Sequence, residues 1–179
     1  CTLEEGCSRP LCYSVDGSLL ALDARLDQPN DVAVDGLGNI YITGSMGDYG
    51  VLKVDAGSKK ITRVAGNGNQ CRVDCRPGGS CNNDLPCYEG DLDNGNPRLA
   101  TAASMNKPND VAVDAAGNIY VAEGNHIIRK VTPEGVVTTL AGLAGNSGSA
   151  DGTGSAARVS SPSGVAVDTA GNVCCAEYS

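Results

Sequence analysis

Three stretches of the chain repeat one another, and this repeat limits the fold more than any other feature. The first runs Gln28-Pro29-Asn30-Asp31-Val32-Ala33-Val34-Asp35-Gly36-Leu37-Gly38-Asn39-Ile40-Tyr41-Ile42. The second runs from Lys107 to Val121 and the third from Ser161 to Cys175. Their common pattern is P-x-x-V-A-V-D-x-x-G-N-[IV], with the prolines at 29, 108 and 162, spaced by 79 and then 54 residues. A unit that recurs in this way is one supersecondary element, which buries its apolar faces only by lying against its neighbours.

Each unit reads as strands. Val-Ala-Val is a short β-prone run ended by Asp. Asp-x-x-Gly-Asn is a turn, capped by the Asp side chain, in which Gly or Asn takes positive φ. Asn-Ile-Tyr-(Ile/Val) opens the next strand of a hairpin. In the second unit His126–Val131 and Val136–Ala141 are two further strands around the turn Thr132-Pro133-Glu134-Gly135. In the first, Val51–Val54 and Ile61–Ala65 flank Ala56-Gly57-Ser58. Four antiparallel strands in a repeat of this length are the mark of a propeller blade.

The stretch from Pro108 to Gly142 resembles an NHL repeat along nearly its whole length, including the Asn125-His126-Ile127-Ile128-Arg129 tract that gives the family its name. The first unit is similar but has Asp48-Tyr49-Gly50-Val51-Leu52 in place of that tract, and the third stops after its second strand. The resemblance covers about 24–66, 103–142 and 157–179. It implies an all-β fold of four-stranded β-propeller blades; about two and a half blades make an incomplete ring, and the cysteine spacing places disulfide-rich inserts between blades. The organisation expected is a cysteine-rich segment over 1–23, a blade over 24–66 and a cysteine-rich insert over 67–102. A second blade over 103–142, a Gly/Ser-rich loop over 143–156 and a partial third blade over 157–179 follow. The resemblance does not imply one activity, because NHL-like propellers include protein-binding, RNA-binding and enzymatic members.

Composition narrows the classes. Aromatic residues make up 3% of the chain, with no Phe or Trp, so the core rests on Val, Ile, Leu and Ala. The net charge is −8, and the one basic cluster, Lys59, Lys60 and Arg63, is too small to hold a phosphate backbone. No apolar run approaches the roughly 20 residues of a membrane span. Nine cysteines point to an oxidising, extracellular compartment. The chain opens at Cys1 with no initiator Met and no signal peptide, and the expectation is a processed chain or an interior piece of a longer one.

The cysteines are read as disulfide formers. Cys71, Cys75, Cys81 and Cys87 allow two bridges within one insert, in any of three pairings. Cys1, Cys7 and Cys12 are an odd set, and Cys174-Cys175 places adjacent thiols on opposite faces of a strand. Cys1-x5-Cys7-x4-Cys12-Tyr13 echoes Cys75-x5-Cys81-x5-Cys87-Tyr88. Asp35, Asp114 and Asp168 are weak calcium candidates, and their recurrence at one turn favours turn capping instead. Asp31 and Asp110 stand where the first strand begins, near a propeller's mouth, and Gly164 replaces them in the third unit. His126, the sole histidine, is too few for a metal site or a Ser-His pair. No cofactor is expected.

Three functions compete. An extracellular structural or adhesive protein, with blades as scaffold for self-assembly or partner binding, fits the cysteines, the acidity and the absence of a catalytic constellation. As a fragment or filament subunit it would meet other copies of itself or further blades of a longer chain. The alternatives are a secreted propeller enzyme, a lyase or lactonase-like hydrolase with its catalytic blades outside this chain, and a ligand- or glycan-binding propeller module.

Overall fold

The computed structural model describes residues 16–26, 28–44, 49–68 and 97–178, which form three antiparallel sheets. The first sheet holds β1 (Asp16–Leu20), β2 (Pro29–Val34), β3 (Ile40–Gly44), β4 (Gly50–Val54) and β5 (Lys60–Ala65), in the order β1-β5-β4-β3-β2. The second holds β6 (Arg98–Leu99), β7 (Pro108–Val113), β8 (Ile119–Glu123), β9 (Ile127–Val131) and β10 (Val136–Gly142), in the order β6-β10-β9-β8-β7. The third pairs β11 (Pro162–Val167) with β12 (Val173–Glu177). The sheets are separate blades, and no ring closes among the described residues.

The repeated turn forms for the reason its residues suggest. Asp35 Oδ1 accepts the backbone N–H groups of Leu37 and Asn39, each at 2.9 Å, which ties the loop to its first residue. Gly38 takes φ +82°, and Gly117 and Gly171 do the same in the other two blades. A side chain there would be strained. Asn39 Oδ1 reaches across to accept the Ala56 N–H at 2.9 Å, joining the two turns of the first sheet. In the second sheet Pro133 stands at the place of Ala56 and has no N–H to give.

Both complete sheets carry one strand more than the four expected. β1 pairs with β5, and β6 pairs with β10. Each is followed by a single 3-10 turn, Ala21–Asp23 or Ala100–Ala102, whose first residue donates back to the sheet. Ala21 N–H meets the Lys59 carbonyl, and Ala100 N–H meets the Gly135 carbonyl, both at 2.8 Å. The connecting segment thus covers the outer edge of the blade it leads into, an edge that would otherwise be open to chance pairing.

The blades stack face on face. One core lies between the first and second sheets, built from Tyr41, Val51, Met105, Val111, Ile119 and Val121, with others around them. A smaller one lies between the second and third, around Tyr120, Ala122, Ile128 and Val165. The middle blade is therefore packed on both faces, and every residue of β8 is buried. The flanking blades are not. Val111 is 4% and Val165 8% exposed, whereas Val32 at the same repeat position is 57% exposed. Ile119 is 5% exposed and its counterpart Ile40 36%. Ile119→Ala is expected to cost about 2–5 kcal/mol. Ile40→Ala, at a site already open on one side, costs less. Urea denaturation midpoints of the two variants test this order.

Candidate functional site

The residues that the repeat places at the start of each first strand come together at the seams between blades. A bulge follows each proline, between Pro29 and Asp31, Pro108 and Asp110, and Pro162 and Gly164. Proline gives the ladder no N–H, and a bulge at that point re-aims the next side chain. Asn30 Nδ2 donates to the Pro108 carbonyl at 2.7 Å, and Asn109 Nδ2 donates to the Pro162 carbonyl at 2.9 Å. The aspartates complete each clamp. Asp31 Oδ2 accepts the Val111 N–H at 3.2 Å, and Asp110 Oδ2 accepts the Val165 N–H at 2.5 Å. Each Asn-Asp pair thus holds the backbone of the next blade by one donor and one acceptor. In the third blade the pattern stops: Ser163 Oγ donates to Ala176 within its own sheet at 3.3 Å, and Gly164 has no side chain.

The first seam brings two acids together. Burial, and then a hydrogen bond with the Asp31 carboxylate, push the Asp110 pKa up to about 6. The pair holds one proton more readily than two isolated carboxylates would.

Two family models match the chain. One, described as Teneurin NHL domain, covers residues 80–150, and one described as Beta-propeller repeat covers residues 21–45. The chain carries NHL-type β-propeller repeats. Among solved structures it is similar to a structural genomics protein of unknown function from Bacteroides thetaiotaomicron, at 19% identity and TM-score 0.46, covering 83% of this chain and 44% of that one. An auxiliary nutrient binding protein from the same organism matches at 22% identity and TM-score 0.49, over 76% of this chain and 32% of that one. Virginiamycin B lyase from Staphylococcus aureus matches at 13% identity and TM-score 0.30, over 84% and 56%. The chain spans about a third to just over half the length of these proteins.

In the second blade four residues of the NHL tract take distinct positions. His126 takes φ +72°, and its Nδ1 accepts the Ser161 N–H at 2.9 Å, which ties this blade to the start of the next. Sequence reading gave it no task beyond fitting the repeat. Ile127 and Ile128 are buried on opposite faces of β9. Arg129 is fully buried, with Nε 3.2 Å from Glu123 Oε1 and Nη1 donating to the Ser104 carbonyl at 2.9 Å. Glu123 Oε2 accepts the Asn106 N–H at 2.8 Å. This ion pair joins β8, β9 and the incoming connection, and sequence reading missed it. The first blade has Gly44 and Leu52 at the two positions.

The calcium candidates sit in their turns. Asp114 accepts from the N–H groups of Ala116 at 3.0 Å and Asn118 at 2.8 Å, from Asn118 Nδ2 at 2.7 Å and from the Tyr120 hydroxyl at 3.1 Å. Asp35 has the same set, and Asp168 lacks only the tyrosine, because Cys174 stands there. Partial burial works against ionisation of Asp35 and Asp114, but these donors outweigh it and hold both below the usual carboxylate value. The Tyr41 hydroxyl is pushed up to about 12, by burial and then by its acidic neighbour. No group of three metal-ligating side chains occurs among the described residues. Cys174 and Cys175 are exposed, and both thiols are free. Cys1, Cys7, Cys12, Cys71, Cys75, Cys81 and Cys87 lie outside the described residues. A cleft of about 410 Å³ between the first two blades is lined by Tyr41, Lys53, Arg63, Ile119 and Glu134 among others. The Lys53 ammonium lies 5.5 Å over the Tyr41 ring.

The acid pair makes stability depend on pH. A carboxyl whose pKa is raised on folding contributes most when protonated, and its contribution falls as pH rises through the folded value. Acidification from pH 7.5 to 5 is therefore expected to raise the thermal midpoint through Asp110. Asp110→Asn keeps the hydrogen bonds without the charge, so it raises the midpoint at pH 7.5 and flattens this dependence. Thermal scans of both proteins at the two pH values measure it.

The buried ion pair gives a second expectation. Arg129→Leu leaves Glu123 buried without its cation and costs about 3–5 kcal/mol. Adding Glu123→Ala, close to the solution of the first blade, recovers part of that loss. Chemical denaturation of the single and double variants provides the comparison.

Proposed function

We propose that this chain is an extracellular binding or scaffold module whose blades assemble flank to flank with further blades of the same kind. The observation that carries this reading is the burial of equivalent residues. The face that packs against a preceding blade is closed in the second and third blades by Val111, Ile119 and Val165. In the first blade the same face leaves Val32, Val34 and Ile40 in solvent. The opposite face, closed at Tyr120 and Ala122 in the second blade, is open in the third at Cys174 and Ala176.

The two open faces are of the two kinds that meet inside the chain. Contact between them is head-to-tail and generates a ring where the rotation closes, or a filament where it does not. An apolar, unpartnered face of this sort favours association. The nine cysteines support an extracellular setting. A scaffold role is also supported by the use of the acidic side chains, since Asp31, Asp110, Asp35, Asp114 and Asp168 each hold backbone N–H groups of a seam or a turn.

Sedimentation velocity over a concentration series tests the reading. The expected result is a concentration-dependent species larger than one chain, returned to a single chain by Val32→Glu with Val34→Glu on the open face. A single chain at every concentration overturns self-assembly.

A further inference from the structure

The chain's sole histidine stands at a joint between blades. His126 lies in the turn between β8 and β9, half-buried and with φ +72°. Its Nδ1 accepts the N–H of Ser161, 2.9 Å away, at the end of the connection that leads into β11. Ser161 takes φ +42°, as Gln28 and Lys107 do in the same place before the prolines of the other blades. Its carbonyl accepts the Tyr178 N–H at 3.5 Å. Ser161 is thus held by its own sheet through one backbone group and by the second blade's imidazole through the other.

An imidazole nitrogen accepts a hydrogen bond only while it carries no proton. Once both ring nitrogens are protonated, Nδ1 is a donor, and it faces another donor in the Ser161 N–H. The bond is therefore intact while the ring is neutral and is lost as pH falls through the ring's titration. The charged groups on the elements that meet here have other duties. Glu123 and Arg129 pair with each other, Asp110 holds the Val165 N–H and Glu177 holds the Ser160 N–H. Arg158 donates to the Ser155 and Ala157 carbonyls, and Lys107 packs against Gly124. The first blade has Tyr49 at the place of His126, since Gly66 lies against the Tyr49 carbonyl as Gly142 lies against that of His126. A phenol ring has no nitrogen to gain a proton there.

We propose that His126 is a pH-sensitive latch, whose protonation releases the Ser161 N–H and frees the end of the 143–161 connection from the second blade. The release is local. Asn109 still donates to the Pro162 carbonyl, one residue beyond Ser161, and Asp110 still accepts the Val165 N–H. β11 therefore stays clamped, and the loosened piece is the connection that precedes it. Acid acts on the molecule in two senses: protonation of Asp110 relieves the meeting of two carboxylates at the first seam, while protonation of His126 undoes a contact at the second. The latch goes beyond the scaffold reading and does not depend on it.

Hydrogen exchange of the Ser161 amide in the full chain, followed by NMR between pH 7.5 and 5 and divided by the intrinsic rate at each pH, reads the latch. Protection is expected to fall about tenfold on acidification. Its midpoint coincides with the titration of the His126 ring, followed by the carbon shift of Cε1 in the same sample. The Val165 amide, held by Asp110, keeps its protection over the range. His126→Asn places a neutral oxygen acceptor where Nδ1 stands and suits the left-handed backbone, so Ser161 stays protected at both pH values. His126→Tyr, the first blade's residue, leaves Ser161 poorly protected at both. Protection that does not move while the ring titrates overturns the latch, and so does a ring that stays neutral down to pH 5. A pH profile of Ser161 that persists in His126→Asn, or disappears in Asp110→Asn, assigns the effect to another group and overturns it as well.

Discussion

The structure depends on how separate sheets are held side by side. No backbone ladder crosses from one blade to the next, so each seam is made chiefly by side chains. Two polar residues, Asn and Asp, do this at the inner strands, and each engages a backbone group that its own sheet does not use there. A hydrogen bond to a charged group is worth about 1.5–3 kcal/mol, more than a neutral one. The direction matters as much as the energy. A clamp with one donor and one acceptor fixes the offset between blades, which apolar packing alone leaves loose. The bulge after each proline makes the clamp possible, because it takes Asn30 and Asn109 out of strand alternation and turns them towards the next blade.

The clamps set the faces in contact, and burial follows. Among the described residues only the middle blade has neighbours on both sides, and only it is buried throughout its second strand. It is also the blade that uses a buried ion pair, Glu123 with Arg129, where the first blade has Gly44 and Leu52. A buried pair of this kind is not a cheap route to stability compared with an apolar pair. What it does here is join two strands to the incoming connection through Ser104 and Asn106, three elements that small apolar residues would leave separate.

Much of this was legible in the sequence where a local pattern has one physical meaning. Asp-x-x-Gly-Asn has to be a turn, and Val-Ala-Val beside it has to be a strand, so the four principal strands of each complete blade fall where the repeat places them. The clamps were harder to read. Asn30-Asp31 and Asn109-Asp110 recur visibly, but a polar pair at the start of a strand looks the same whether it faces a channel or a neighbouring backbone. The signal for the ion pair was present as well, since Glu123 and Glu177 share a repeat position, yet its partner lies on a third strand that carries leucine in the first blade and arginine in the second. β1 and β6 left no pattern. Five and two residues are too few to show alternation, and their pairing depends on the edge they cover.

The seams are not equivalent, and the difference lies in one residue. At the first seam Asp31 meets a strand that itself carries Asp110, and burial first, then the approach of Asp31, push Asp110 towards its neutral form. At the second, Asp110 meets Gly164, and a Cβ there would lie 3.5 Å from the Asp110 carboxylate oxygen. That is ordinary contact distance, so space does not demand a glycine. Charge disfavours only a third aspartate there, which would face Asp110 as Asp110 faces Asp31, since three like charges in a row disfavour ionisation more than two. Gly164 ends the run of acids while Val165 still donates its N–H, so the third blade is gripped by the second without adding to the repulsion along the inner strands.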